Sequence, residues 1–281
     1  MWRKIRLLLI ISGLIVAFNA NAQFDDPKTL EFGPHVGVSY YMGDINPMLP
    51  FAQSQLQYGG VVRFNYNYRW TFRADYSYLT VKADDKIIKW RPERELNFMS
   101  KIHDLSFVAE FNFLEYYTGN PKKNVSPYIF GGISVFYYTV FTEVADSLID
   151  LSNHLTEPVP TNVKWYEKPF GKNSPVGISI PFGMGVKFAV SKHVAATVEW
   201  RMQKTFTDYL DDVATVYPAR NQRPHVEIGG EEYDLSDPTM TYEEGQQRGN
   251  SSFNDWFGMA RVSLTWKLNL PDGRGCNLSK F

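Results

Sequence analysis

The chain has 281 residues, 16% of them aromatic, with 29 Lys and Arg against 30 Asp and Glu and one cysteine. A net charge of −1 leaves no basic excess to hold a nucleic-acid backbone. One cysteine allows no internal disulfide, and no stretch reaches the roughly twenty continuous apolar residues of a membrane-crossing helix.

Arg3, Lys4 and Arg6 precede an apolar run over 7–18, and Asn19-Ala20-Asn21-Ala22 carries the alternating small residues that a signal peptidase reads. Residues 1–22 thus read as an export leader, with the mature chain starting at Gln23. Losing three cations takes the net charge from −1 to −4. No cysteine stands at the cleavage point, so a lipid anchor there is not expected.

The mature chain then shows a period of two. The spacing predicts a first strand over 29–42, with Phe32, Val36, Val38 and Tyr40 on one face and Glu31, His35, Ser39 and Tyr41 on the other. A second over 57–68 and a third over 71–81 are separated only by Arg69 and Trp70, a tight hairpin. A polar loop over 82–100 leads to a fourth strand over 102–114. There Leu105, Phe107, Ala109, Phe111 and Phe113 oppose Asp104, Ser106, Glu110 and Asn112. A fifth strand over 128–141 follows the turn cluster 119–124; both its faces are apolar or aromatic, so neither is assigned.

A loop of about thirty residues precedes the sixth strand, where Ile178, Ile180, Phe182, Met184, Val186, Phe188 and Val190 form the cleanest apolar face. Ser191-Lys192-His193 turns into a seventh strand, with Val194, Ala196, Val198 and Trp200 opposite Thr197, Glu199 and Arg201. An acidic loop over 210–252 leads to the eighth, 256–268, and a tail carries Cys276.

Soluble sandwich strands are usually five or six residues long, whereas spans of about ten alternating residues suit a bilayer. Eight such strands joined by alternately long and short connections predict an all-β, antiparallel, up-and-down transmembrane barrel of the outer membrane. Short turns and both termini would lie in the periplasm and long loops outside. Residues 23–270 form the barrel in this reading, and 271–281 a periplasmic tail. Tyr68, Trp70, Tyr116, Tyr117 and Trp266 fall where the periplasmic aromatic girdle belongs.

An eight-stranded barrel leaves room inside for little more than side chains. The inward set includes Arg63, Arg73, Lys187, Arg201, Arg261 and Lys267 against Asp75, Asp104, Glu110 and Glu199. Buried charges persist only when paired, so crossed ion pairs should fill the lumen.

Catalysis finds no support. His35, His103 and His193 are scattered, none near the group Asp208, Asp211 and Asp212, and no phosphate loop or metal-ligand spacing occurs. Those aspartates read as a solvated, Tyr-flanked loop base, with a Ca²⁺ site as the weaker alternative. No cofactor is expected. Cys276 is either an unselected free thiol or a partner for a thiol of another chain.

Three stretches resemble a family, the PorG-type outer-membrane barrels of the type IX secretion system of Bacteroidota. They are Gly37-Val38-Ser39-Tyr40-Tyr41-Met42-Gly43-Asp44-Ile45-Asn46, Arg201 with Thr205 through Thr207-Asp208-Tyr209-Leu210-Asp211-Asp212-Val213, and Arg248-Gly249-Asn250 with Asp255-Trp256. The resemblance implies a non-enzymatic component of a protein-export machine that contacts a periplasmic ring made of a lipoprotein and its partner. It also implies a link to gliding or to export of surface proteins carrying a C-terminal signal. Ring contacts would then fall on the periplasmic turns and tail, where Cys276 lies. The competing expectation is a small OmpW-like passive transporter, or an adhesin that binds through its loops.

Overall fold

A computed structural model of the chain describes residues 28–120, 122–158 and 174–269. The segments expected as leader (1–22) and tail (271–281), with Cys276, lie outside the described residues. Eight long strands close on one another: β1 (Thr29–Met42), β2 (Gln55–Asn65), β3 (Trp70–Asp84), β4 (Asn97–Asn112), β5 (Val125–Val144), β7 (Val176–Ala189), β8 (Val194–Thr205) and β11 (Trp256–Asn269). Each pairs antiparallel with its neighbours in chain order, and β1 pairs with β11 to complete the circle. Short β6 (Ser147–Asp150) extends β5 as a hairpin, and β9 (His225–Ile228) with β10 (Glu231–Asp234) forms a separate two-stranded sheet. The architecture is the expected eight-stranded transmembrane barrel.

The alternation sets the wall. Phe32, Val36, Val62, Phe72, Leu105, Phe107, Ile133, Met184, Val198 and Val262 are exposed on the outside, while Glu31, Arg63, Arg73, Asp104, Glu110 and Arg201 are buried inside. A polar interior within an apolar jacket inverts the arrangement of a water-soluble protein and suits hydrocarbon around it.

Several local expectations are corrected. The β2–β3 turn takes four residues, 66–69, with Tyr66 N donating to Trp70 O at 3.0 Å. Residues 82–100 are not an open loop: β3 runs on to Asp84 and β4 starts at Asn97, leaving one α-helical turn, α1 (Asp85–Ile88), capped by the Asp84 carboxylate, and a 3-10 turn over Pro92–Arg94. The faces of β5 are now assigned, with Tyr128, Phe130, Ser134, Phe136 and Tyr138 inside and Ile129, Ile133, Val135 and Tyr137 outside. Tyr116 leaves the expected girdle: it is 5% exposed and turned inward, whereas Trp70 and Trp266 are on the outer surface.

Glycine makes room for the large inward rings. A Cβ on Gly185 would lie 2.8 Å from the Tyr128 hydroxyl, and one on Gly177 would lie 2.3 Å from the Phe136 ring. Gly185→Val is therefore expected to cost about 1–3 kcal/mol, the scale of overpacking, read as a lower urea midpoint in detergent. Gly60→Ala is the control, since its methyl would meet only the Gly33 carbonyl oxygen at 3.8 Å. Equal midpoints for wild type and Gly185→Val would refute the close approach to Gly185 of Tyr128 and of the Val198 carbonyl oxygen, 2.6 Å from that Cβ.

Candidate functional site

Two regions concentrate polar chemistry: the middle of the lumen and the end of the barrel that carries the long loops. In the lumen Arg63, Arg73, Asp75, Asp104, Glu110, Lys187, Glu199, Arg201 and Arg261 form one connected ion-pair network. Arg73 contacts Asp75 at 3.1 Å, Glu110 at 2.7 Å and also Glu199. Glu110 takes Arg63 at 3.3 Å and Lys187 at 2.5 Å. Asp75 receives Arg201 at 2.8 Å and Arg261 at 3.0 Å, while Arg201 reaches Asp104 at 3.4 Å and Arg261 reaches Glu199 at 2.8 Å. Tyr128 donates to Glu199 at 2.7 Å and Gln203 to Asp104 at 3.1 Å. Lys267 stands apart, donating to the Thr118 carbonyl at 2.5 Å.

Both ends of this network are covered. Towards the short turns, residues 113–120 fold under the barrel; Thr118 donates to Glu31 at 2.5 Å, and Tyr116 lies beneath Lys187, whose ammonium is 5.8 Å from the ring centroid. Towards the long loops the inward face turns apolar: Leu79, Val81, Phe98, Ile102, Phe136, Phe257 and Met259 pack with Ile45, Leu96, Leu151, Leu210, Val213 and Leu235 from the loops. The loops thus form a folded cap that shares a core with the barrel.

Three buried arginines organise this cap, each collecting carboxylates and main-chain carbonyls. Arg94 holds Asp85 at 2.8 Å and 3.0 Å and donates to Arg248 O at 2.7 Å. Arg223 holds Asp234 at 3.2 Å and Asp237 at 3.0 Å. Arg248 holds Glu157 at 2.9 Å and donates to the carbonyls of Ser236 and Asp212. Glu157 in turn accepts from Ala214 N and Thr215 N, each at 2.9 Å. Of the nine acidic residues read over 210–252, these arginines hold Asp234 and Asp237; Asp85 and Glu157 come from elsewhere in the chain.

The stretch Thr207, Asp208, Tyr209, Leu210, Asp211 and Asp212 lies at the centre. It is not the solvated loop base expected: Asp211 is 1% and Asp212 5% exposed, because β1 and β11 end against it. Tyr41 Oη is 2.5 Å from Asp211 Oδ2 and 2.7 Å from Asp255 Oδ1. One hydroxyl has one proton to donate, so the second contact is favourable when that carboxyl is itself protonated and donates. Asp255 also accepts from Leu210 N at 3.0 Å, Asp211 from Val213 N at 2.9 Å, and Thr156 donates to Asp212. Asp44 accepts from Asn250 N at 2.7 Å. Among the described residues no three acidic or histidine side chains converge as a metal site.

Burial, reinforced by neighbouring carboxylates, raises the affinity of Asp208 and Asp211 for a proton, and burial lifts Asp255 to about 8. Of the histidines, His35 lies in the lumen, 3.2 Å from Tyr76 O and 3.3 Å from Arg261, and His103 lies on the outer face, 2.7 Å from the Tyr76 hydroxyl. Neither joins the aspartates. Sequence reasoning missed Arg94, Glu157 and Tyr41 as cap residues. Arg94 and Glu157 stand in stretches without periodicity, and Tyr41 read only as one more inward residue.

Two outcomes follow from this geometry. Removing the Glu199 carboxylate in Glu199→Leu leaves Arg73 and Arg261 short of a partner and is expected to cost about 3–5 kcal/mol, seen as a loss of heat-modifiable gel migration at lower temperature; an unchanged transition would refute a structural role for the network. For the cap, folded carboxyls that hold protons above their ordinary value stabilise most below 3.8 and lose that contribution as pH rises towards about 8. Hydrogen exchange at 207–213, corrected for intrinsic rate, should therefore be faster at pH 8.5 than at pH 6, and Asp255→Asn should flatten the difference. Equal protection at both pH values in the wild type would contradict proton sharing.

The profile of a family described as Domain of unknown function (DUF6089) matches residues 5–164. A comparison with curated proteins finds none that matches. Among solved structures, the chain is similar to the N-terminal β-barrel domain of OprF from Pseudomonas aeruginosa, at 10% identity over 86% of this chain and 98% of that one, with a TM-score of 0.37. It is also similar to Neisserial surface protein A, at 10% identity over 86% and 97% with a TM-score of 0.39. The outer membrane protein OprG from Pseudomonas aeruginosa is a third, at 8% identity over 87% and 97% with a TM-score of 0.40. Since the profile spans more than half of its length, the chain belongs to the DUF6089 family.

Proposed function

We propose that this chain is a non-enzymatic barrel of the outer membrane, exported by the leader 1–22, that serves the type IX secretion system as an anchor for a periplasmic ring of a lipoprotein and its partner. The long loops face outward, and the turns, termini and tail face the periplasm. The observation that carries the anchoring role is the closed lumen: a cross-linked charge layer between the Tyr116–Thr118 cover and the apolar cap core leaves the surface as the working part of the molecule. The export system itself is supported by the resemblance. Its three stretches, far apart in sequence, meet at one knot where Tyr41 bridges Asp211 and Asp255 and Asp44 accepts from Asn250. In this reading the knot holds the cap, and the partner contacts lie at the opposite end, with Cys276 in the tail available as a tether.

A loop-mediated adhesin is the second reading, favoured by the β9–β10 hairpin, whose Glu231 and Glu232 are exposed at the cap surface. An OmpW-like passive transporter needs a path that the filled lumen does not offer. Native outer membranes solubilised in mild detergent, with and without reductant, separate these readings. Co-purification of a periplasmic protein, through a reductant-sensitive band that Cys276→Ser removes, is the outcome expected of a tethered anchor. A barrel that purifies alone in both forms would overturn the anchor, and steady single-channel openings in planar bilayers would overturn the closed lumen.

A further inference from the structure

At the loop end the outer face of β1, β8 and β11 is not a plain lipid-facing wall. Tyr40 points outward yet is 1% exposed. Phe51 covers it with ring centroids 4.4 Å apart, and its hydroxyl accepts from Trp200 Nε1 at 2.9 Å and meets Met202 Sδ at 3.0 Å. Beside this patch lies a groove of about 620 Å³, within the roughly 300–1,000 Å³ typical of small-molecule sites. Met42, Met202 and Trp256, outward residues at strand ends, line one side of it, and Trp90 and Phe253 line it from the loops. Both loop rings are largely open to solvent, at 53% and 72% exposure.

Several polar groups of the groove keep hydrogen-bonding capacity, while Asp44 and Arg94 are committed within the cap. Among the described residues, the Arg91 guanidinium makes no hydrogen bond or ion pair, though it lies near enough to the Asp44 carboxylate to favour its charge, and the Gln247 side-chain amide makes no hydrogen bond. Asn250 uses its Oδ1 on Ser252 N at 3.2 Å, and Asn254 its Nδ2 on Thr205 O at 3.4 Å, leaving the other end of each amide free. Exposed aromatic faces beside free amides and a guanidinium match one ligand chemistry, a sugar ring. Its C–H face is attracted to the electron-rich aromatic face, and its hydroxyls both donate to and accept from amides. A bare anion fits less well, because Asp44 also lines the groove and Arg94 is held by Asp85.

The groove also has an apolar continuation. Below Met202 and Trp256 the same three strands present Val38, Trp200 and Val262 on the outer surface. A ligand with sugars in the groove and hydrocarbon against this wall is an amphiphile of the surrounding leaflet. We propose that the groove binds the sugar portion of an outer-leaflet glycolipid, with the acyl chains lying along β1, β8 and β11. The inference takes from the reading above only the outward orientation of the loop end; it stands whether or not the barrel anchors a periplasmic ring.

The test uses the full mature chain in nanodiscs, where the loop end meets lipid in either orientation. Native mass spectrometry would compare lipopolysaccharide bearing core sugars, lipid A without them, phosphatidylglycerol, and free core oligosaccharide. The expected result is preferential retention of the sugar-bearing glycolipid, weakened about tenfold or more by Trp90→Ala and by Arg91→Ala, with no change in Lys192→Ala at the far end. Both substitutions are at exposed or half-exposed loop positions, and unchanged heat-modifiable migration establishes that the variants fold. Equal retention of lipid A would overturn sugar recognition. Free oligosaccharide binding as tightly as the glycolipid would overturn the membrane source, and insensitivity to both variants would overturn the site. None of these outcomes bears on co-purification with a periplasmic partner.

Discussion

The constraint on which this structure depends is that charges inside a narrow barrel must find partners across it. Around an eight-stranded circle β3 and β8 stand on opposite walls, four strands apart. Arg73 and Asp75 on one wall meet Glu199 and Arg201 on the other, so two of the cross-links run along a diameter. Flanking strands complete the charge: β4 adds Asp104 and Glu110, β2 Arg63, β7 Lys187 and β11 Arg261. Five cations then face these carboxylates together with Glu31, which the turn-end layer of Thr118, Asn65 and Thr265 holds by hydrogen bonds. A single missing group leaves opposing charges in a dry interior, where desolvation is costly.

This layer shapes what lies above and below it. Its long side chains need small neighbours, which is why glycines stand opposite the large rings of β5. Beyond the charges, towards the loops, aliphatic and aromatic residues replace polar ones on the inward face. An apolar rim at the mouth of a barrel needs a cover. The loops supply it, with Leu210, Val213 and Leu235 packed against strand residues, and the buried arginines tie down the loop main chain that this packing strips of water.

The knot at Tyr41 joins the two systems. Its ring belongs to the apolar mouth, 4.7 Å from Phe98 edge to face, while its hydroxyl belongs to the aspartates of the cap. Ser100 on β4 bonds Leu210 O, and Thr205 on β8 bonds Asp255 O at 2.6 Å. Strand ends and loop bases are therefore one hydrogen-bonded unit.

The eight barrel strands, the faces of all of them but β5 and the charges of the lumen network were legible in the sequence, because a two-residue period is local and survives without knowledge of the fold; Lys267, expected among those charges, stands apart. It failed where the signal is not local. In β5 both faces are aromatic, since its inner side meets the apolar mouth and its outer side the lipid, and two apolar faces leave no contrast to read. Tyr116 resembled a girdle residue by position, but the chain around it turns under the barrel. Which arginine meets which carboxylate was decided by closure of the circle, which sets walls four strands apart face to face. The cap arose only in three dimensions: Arg94, Glu157, Asp211 and Asp255 sit in aperiodic segments, and burial by distant strands turned an apparently solvated acidic loop into a packed core.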